Sequence, residues 1–251
     1  MVICMNNISM AFLLTTMAGL STMIGTIPIF FKLRNEDKLV AASLSFAAGI
    51  MLCVSVTDLI PESLNMLSGY SDIVMLGLVM VSIFVGIVIS AFIDKALPSS
   101  IDNNSLYKVG VISMVAIIIH NLPEGIATFI STTKSFELGL SLTVAIAFHN
   151  IPEGISISVP IFYSTKSRLK ALWYTFISAL SEPLGAILTY LFFARFINET
   201  VLGLLFSMIA GIMIQISLTE LLPTSVSYDY SKITKCFFVV GILFMLLKFF
   251  F

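Results

Sequence analysis

The sequence predicts an all-α polytopic membrane protein with eight transmembrane helices. Hydrophobic residues make up 58% of its 251 residues and charged residues only 11%, whereas a soluble domain carries about 25% charged residues. The mean hydropathy of +1.06 agrees with this class. A spanning helix needs about 20 mostly apolar residues, and polar clusters cut the chain into eight such stretches. Their approximate limits are 10 to 31, 39 to 60, 73 to 93, 109 to 130, 138 to 160, 171 to 193, 201 to 222 and 236 to 251.

The first stretch is expected to be a retained span, because MVICMNNISM lacks the positive residues of a signal peptide. Lys and Arg then predict the orientation, since cytoplasmic loops carry an excess of them. In the eight-span arrangement ten lie on one side and three on the other. The ten are Lys32, Arg34, Lys38, Lys95, Lys108, Lys166, Arg168, Lys170, Lys232 and Lys235, and the three are Lys134, Arg195 and Lys248. Both termini are therefore expected to face outward.

Charge and cysteine content exclude several classes of protein. The net charge is -1 and no basic run occurs, so nucleic acid is not an expected partner. The three cysteines, Cys4, Cys53 and Cys236, stand far apart, which fits neither a disulfide framework nor a thiolate metal cluster. The expected surroundings are the lipid bilayer.

Part of the chain repeats itself. SFAAGIMLCVSVTDLIPESL at 45 to 64 aligns without gaps on SMIAGIMIQISLTELLPTSV at 207 to 226 with ten identities, and LSTMIG at 20 to 25 lies over LSEPLG at 180 to 185. Spans two and seven run in opposite directions, so spans one to three and six to eight are expected to form a 3+2+3 inverted repeat. Secondary transporters often have this plan, with their site near the midplane. We expect one transport domain over residues 1 to 251, with repeats at about 10 to 93 and 171 to 251 around metal-binding helices at about 109 to 160.

Both histidines of the chain lie in a duplicated hexapeptide, HNLPEG at 120 to 125 and HNIPEG at 149 to 154. His120 and His149 fall near the middle of spans four and five, and Glu182 falls at the centre of span six. Ionisable residues at this depth almost always face the bundle interior or a water-filled cavity. The spans hold no Lys or Arg to neutralise the carboxylates there, so the missing charge is most simply an incoming cation.

His and Glu four residues apart share one face of a helix. Span four thus offers His120 with Glu124, and span five offers His149 with Glu153. Two imidazoles and two carboxylates suit Zn²⁺ and also admit Fe²⁺, Mn²⁺ or Co²⁺, whereas the lack of thiolates argues against Cu(I).

A second metal is also within reach of this part of the chain. Asn121 and Asn150 add carbonyl oxygens beside the histidines, and Glu182 adds a carboxylate from span six. Pro123 and Pro152 are expected to kink the two helices and to free backbone carbonyls for a polar pathway.

With SEPLGA at 181 to 186, these hexapeptides resemble the ZIP (Zrt-, Irt-like) family of divalent metal transporters, and in size its bacterial ZupT branch. The resemblance implies a multi-pass protein of a bacterial cell membrane that takes up Zn²⁺, and often Fe²⁺, Mn²⁺, Co²⁺ or Cd²⁺, into the cytoplasm. It implies an elevator-like movement of spans one, four, five and six against the others. It also implies one metal position formed by His120, Glu124, His149 and Glu153, and another formed by Asn121, Asn150, Glu153 and Glu182.

Two further acidic residues take equivalent places in the repeat. Asp58 in span two aligns with Glu220 in span seven, at the outer and inner ends of their helices. We expect them to attract ions at the entrance and the exit. An equally open alternative is that they only cap helices or contact lipid headgroups.

Other functions use the same residues differently. An intramembrane metallohydrolase would need three ligands, an open position for water and a general base, and the chain has no HExxH motif. An enzyme is therefore not expected, and neither is any cofactor beyond the transported metal. Efflux, a non-transporting metal sensor and a homodimeric assembly are left open.

Overall fold

A computed structural model describes residues 2–31, 35–96, 105–193 and 198–247. Within these ranges every regular element is helical, as the sequence predicts. Of the cations that indicate orientation, Lys32, Arg34, Arg195 and Lys248 lie outside the described residues. The α-helices are α1 (Val2–Ser21), α2 (Glu36–Val54), α3 (Ile60–Met66), α4 (Asp72–Ala96), α5 (Ser105–Lys134), α6 (Phe136–Thr165), α7 (Arg168–Ala179), α8 (Ser181–Leu188), α9 (Glu199–Ile216), α10 (Leu222–Ser227) and α11 (Ser231–Leu246).

Short segments of other helical types extend several of these α-helices. A 3₁₀ helix, Thr22–Phe30, continues α1. Segments of π-helix, with wider turns, follow α2 at Ser55–Leu59, α8 at Thr189–Phe193 and α9 at Ser217–Leu221. Successive helical segments therefore join into longer continuous helices, which we call rods.

Seven of these rods are long and apolar enough to cross a membrane, which makes this a multi-pass membrane protein. They are Asn7–Phe30, Glu36–Met66, Asp72–Lys95, Leu106–Lys134, Phe136–Thr165, Arg168–Phe192 and Glu199–Ser227. Each matches one of the first seven stretches in the sequence. The eighth stretch contains α11, which is 16 residues long, and its last residues lie beyond the described part of the chain.

The second and seventh rods begin at the same kind of cap. The side chain of Asn35 accepts a hydrogen bond from the Lys38 amide at 3.0 Å, and Asn198 accepts one from the Val201 amide at 2.9 Å. An N-cap side chain satisfies one of the helix's free amide donors. Glu36 and Glu199 follow in the first turn, where a negative charge interacts favourably with the helix dipole.

The same two rods continue beyond the ends predicted at residues 60 and 222. Pro61 and Pro223 directly follow these predicted ends and lie in the first turn of α3 and α10. Proline is tolerated there, because the preceding π-helix has already broken the regular hydrogen-bond ladder. The rods consequently reach Met66 and Ser227.

The helices pack in two groups. One group contains α2 on α11 and α4 on α9. In the other group α5 packs on α6, α1 and α8, and α6 also packs on α1. The groups meet where α2 packs on α6 and where α9 packs on α5. The core of buried apolar side chains lies mostly between them, including Leu44, Ile117 and Ile157. Much of α4 instead faces outward, with Phe84 and Phe92 exposed.

Candidate metal centre

Two central helices carry both copies of the hexapeptide. α5 and α6 are each 30 residues long and run without interruption through Pro123 and Pro152. His120 and His149 lie near the middle of these helices, and both side chains are buried. The duplicated motif therefore places two imidazoles inside the protein, halfway along the spans.

Glu124 lies between the two histidines. Its Oε1 is 2.9 Å from Nε2 of His149 and 3.5 Å from Nε2 of His120, one turn before it on α5. One ligand atom from each of these three residues lies within 4.8 Å of the others. Separations of this size allow the three atoms to share one metal ion, since Zn²⁺ binds nitrogen and oxygen ligands at about 2 Å.

Glu153 joins this group from the other helix. Its Oε1 lies 3.1 Å from Nε2 of His120, and the side chain is fully buried. Each carboxylate therefore reaches the histidine of the opposite helix. This crossed arrangement brings together the four residues that the i, i+4 spacing singled out.

Glu182 approaches from a third helix. It lies at the start of α8 and is fully buried. The side-chain amide of Asn150 donates to Glu182 Oε1 and also to the carbonyl of Ala18 on α1, the latter at 2.9 Å. Close packing supports this position, because a Cβ on Gly125 would lie only 2.0 Å from the Glu182 carbonyl oxygen.

Several buried polar atoms around this cluster make no hydrogen bond with any residue that the structure describes. They include both amide atoms of Asn121, Oδ1 of Asn150, Oε2 of Glu124 and Oε2 of Glu182. Buried polar atoms normally have partners, and each exception needs an explanation. No Lys or Arg among the described residues is buried. The cluster therefore offers unused oxygen ligands and negative charge without a protein cation.

A cavity of about 500 Å³ reaches the cluster from one end of the helix bundle. Its lining includes Glu124 and His149 at the bottom and Asp58 on the π-helix after α2. Glu62 and Asn65 line it as well, and they also line an adjoining cavity of about 400 Å³ nearer the end of the bundle. The structure thus places Asp58 on a polar route to the histidines.

Glu220 lies in a different place. It lines a cavity of about 170 Å³ near the other end of the bundle, together with Asp94 on α4 and Gln215 on α9. No residue of the His and Glu cluster is among the described residues that line it. Asp58 and Glu220 are therefore on opposite sides of the cluster, and only Asp58 shares a cavity with it.

Sequence reasoning missed part of this arrangement. Asn65 and Glu62 line the route to the cluster, and Asp94 lies beside Glu220. It also missed the two π-helices, Ser55–Leu59 and Ser217–Leu221, which carry the two acidic residues. The signal for these π-helices was present, because they occupy matching positions of the aligned segments and each ends two residues before a proline.

Comparisons with known proteins agree with the geometry. A sequence model described as ZIP zinc transporter matches residues 99–248. The chain is 39% identical over 271 residues to the zinc transporter ZupT of Clostridium perfringens, covering 96% of this chain and 95% of that protein. It is 40% identical over 260 residues to the zinc transporter ZupT of Oceanobacillus iheyensis, covering 96% and 97%. Similarity of this extent, together with the buried cluster, shows that the chain belongs to the ZIP zinc transporter family.

Proposed function

We propose that this protein carries Zn²⁺ and related divalent cations across a bacterial cell membrane into the cytoplasm. The observation that carries the proposal is the buried cluster of two imidazoles and three carboxylates that no buried Lys or Arg of the described chain neutralises. Charges inside a membrane protein are retained at a high energetic cost, and they mark ion pathways. The named function of the relatives, zinc transport, is the same chemistry.

The first metal position is formed by His120, Glu124, His149 and Glu153. This assignment is supported by the 2.9 Å and 3.1 Å separations between imidazole nitrogens and carboxylate oxygens. Glu124 and Glu153 each lie beside an imidazole of the opposite helix. A cation placed among them would be coordinated by the nitrogen and oxygen atoms that now contact one another.

The second metal position is formed by Asn121, Asn150, Glu153 and Glu182, with Glu124 able to bridge to the first. The contact between Asn150 and Glu182 supports it, as does the buried amide of Asn121 without a partner among the described residues. Carboxylate and amide oxygens are ligands for the same range of divalent ions. Two neighbouring positions would let one ion enter while another leaves.

The transport domain spans residues 1 to 251, with eight spans in a 3+2+3 inverted repeat and both termini outside. Matching packing supports this plan. A Cβ on Gly125 would meet the carbonyl oxygen of Glu182, and one on Gly154 would meet that of Thr22. Glu182 and Thr22 occupy equivalent places in LSEPLG and LSTMIG. The two hexapeptides therefore contact equivalent points of the two repeats.

Asp58 attracts ions at the outer entrance, and Glu220 receives them at the cytoplasmic exit. Their positions in cavities on opposite sides of the cluster support these roles. Both lie on π-helices, which occur frequently at functional sites. The excess of Lys and Arg places the Asp58 cavity on the outer side of the membrane and the Glu220 cavity on the cytoplasmic side.

Uptake of ⁶⁵Zn²⁺ into proteoliposomes tests the proposal. We expect His120→Ala, Glu124→Ala and His149→Ala each to lower uptake by at least about tenfold, because even outer-shell changes at metal sites cost 10- to 100-fold. Glu137→Gln is the matched control, since it removes an exposed carboxylate from the first turn of α6. Wild-type uptake in all three alanine variants would reject the assignment, and Cd²⁺, Fe²⁺ and Mn²⁺ competition would rank the substrates.

A further inference from the structure

Two ion pairs connect different helices at the end of the bundle opposite to the large cavities. Lys108 Nζ at the start of α5 lies 2.7 Å from Asp94 Oδ1 at the end of α4. Lys166 Nζ, directly after α6, lies 2.5 Å from Glu36 Oε2 in the first turn of α2. Both distances are those of close ion pairs, and Lys166 also donates a hydrogen bond to Glu36.

Each pair joins one packing group to the other. Asp94 and Glu36 belong to α4 and α2, which pack on α9 and α11. Lys108 and Lys166 belong to α5 and to the turn after α6, whose helices carry the candidate metal ligands. A displacement of the ligand-bearing group along the membrane normal would therefore have to break both pairs.

The opposite end of the same groups is open. The cavity that reaches His149 continues past Asn65 into the adjoining cavity. The outermost cavity, of about 870 Å³, is lined by Tyr70 and Glu199 at the ends of the helices there. At the end with the ion pairs, the small cavity beside Asp94 stops short of the cluster. In this conformation the cavities lead to the cluster from one end of the bundle, and the two ion pairs join the packing groups at the other end.

We propose that the Asp94–Lys108 and Glu36–Lys166 pairs form a cytoplasmic latch, which stabilises the outward-open state until the ligand-bearing helices move. The proposal rests on the transport function above and adds a conformational control to it. The pairs are partly exposed, with side chains between 25% and 62% accessible. Each is therefore weak, as a contact that must break in every transport cycle needs to be.

Labelling of an engineered cysteine tests the latch without any metal. Ala145 lines the cavity one turn before His149 on α6, so Ala145→Cys reports whether the outer route is open. The three native cysteines, Cys4, Cys53 and Cys236, are replaced by Ser. The probe is a membrane-impermeant maleimide added outside right-side-out vesicles.

We expect Lys108→Gln with Lys166→Gln to slow this labelling by about twofold or more, because exposed ion pairs each shift an equilibrium only modestly. Exchanging the charges, with Asp94→Lys and Lys108→Asp in one variant and Glu36→Lys and Lys166→Glu in another, should keep the wild-type rate. Such variants retain the pairs with reversed signs.

Lys170→Gln with Lys232→Gln is the matched control, since both lysines are exposed and neither forms an ion pair with any residue in the described ranges. Equal labelling of the double Gln variant and wild type would overturn the latch. It would also be overturned if the charge-exchanged variants label as slowly as the Gln variant while eluting as folded protein. Absence of zinc uptake by the wild type would instead reject the proposed function and leave the labelling result intact.

Discussion

Gly125→Ala should disturb the candidate site through backbone packing alone. The added Cβ would lie 2.0 Å from the carbonyl oxygen of Glu182 and 2.8 Å from its Cα. Ordinary contacts begin at about 3.4 Å, so α5 and the start of α8 must separate by about 1 Å or more. The added Cβ would overlap with backbone atoms of Glu182, so no flexible side chain can move aside to relieve the overlap. Overpacking of this kind costs about 1 to 3 kcal/mol.

The separation should displace the Glu182 carboxylate from the cluster. Among the described residues, Glu182 is the only carboxylate that α8 contributes there. If the whole cost falls on the metal-bound geometry, the Kd for Zn²⁺ rises by about five- to 150-fold. Isothermal titration of the purified protein with Zn²⁺ measures the change. Gly77→Ala is the matched control, since a Cβ at Gly77 on α4 meets no atom within 4 Å.

A comparison of Gly125→Ala and Gly77→Ala with wild type distinguishes unfolding of the protein from displacement of Glu182 in a folded protein. Both variants are purified in detergent, and their elution profiles and thermal midpoints are compared with wild type before titration. If folded Gly125→Ala binds and transports Zn²⁺ as wild type does, then the close contact between α5 and α8 does not position Glu182. That result would refute the reasoning from backbone contact to site geometry.

Two further predictions concern the route and the bound ion. Asp58→Asn and Glu220→Gln should each lower uptake at limiting Zn²⁺ and leave the rate at saturating Zn²⁺ nearly unchanged, as initial-rate curves would show; wild-type curves for both would remove their proposed roles. Zn²⁺ at about 100 times its Kd should stabilise the protein by about 2.7 kcal/mol. That gain should be absent in His149→Ala, and equal thermal shifts in the two proteins would contradict binding at this cluster.

Sequence reasoning predicted that the two histidines lie together with two of the glutamates. Helical spacing placed His120 with Glu124 and His149 with Glu153, and their depth in apolar spans required a shared interior. It could not predict that each carboxylate lies nearest the histidine of the opposite helix. That choice depends on the register between α5 and α6, which is decided by packing and is not encoded in either hexapeptide alone.

The ends of the spans were harder to predict for a related reason. Pro61 and Pro223 favour a helix boundary, yet the structure extends both rods through π-helical turns to Met66 and Ser227. The residues of these turns, such as Thr57 and Thr219, fit an α-helix equally well by composition. Only the alignment of the two repeats carries a hint, since proline follows an acidic residue at matching distances in both.

The two repeats differ at one position that affects the charge of the cluster. Thr22 occupies the place of Glu182 in the other half, so the cluster has three carboxylates and not four. With neutral imidazoles, three carboxylates leave a charge of -1 with one divalent ion and +1 with two. Four carboxylates would leave -2 with one ion, a larger buried charge and a greater desolvation cost. Threonine at this position therefore leaves the one-ion and two-ion states equally far from neutral, which is compatible with the two metal positions proposed above.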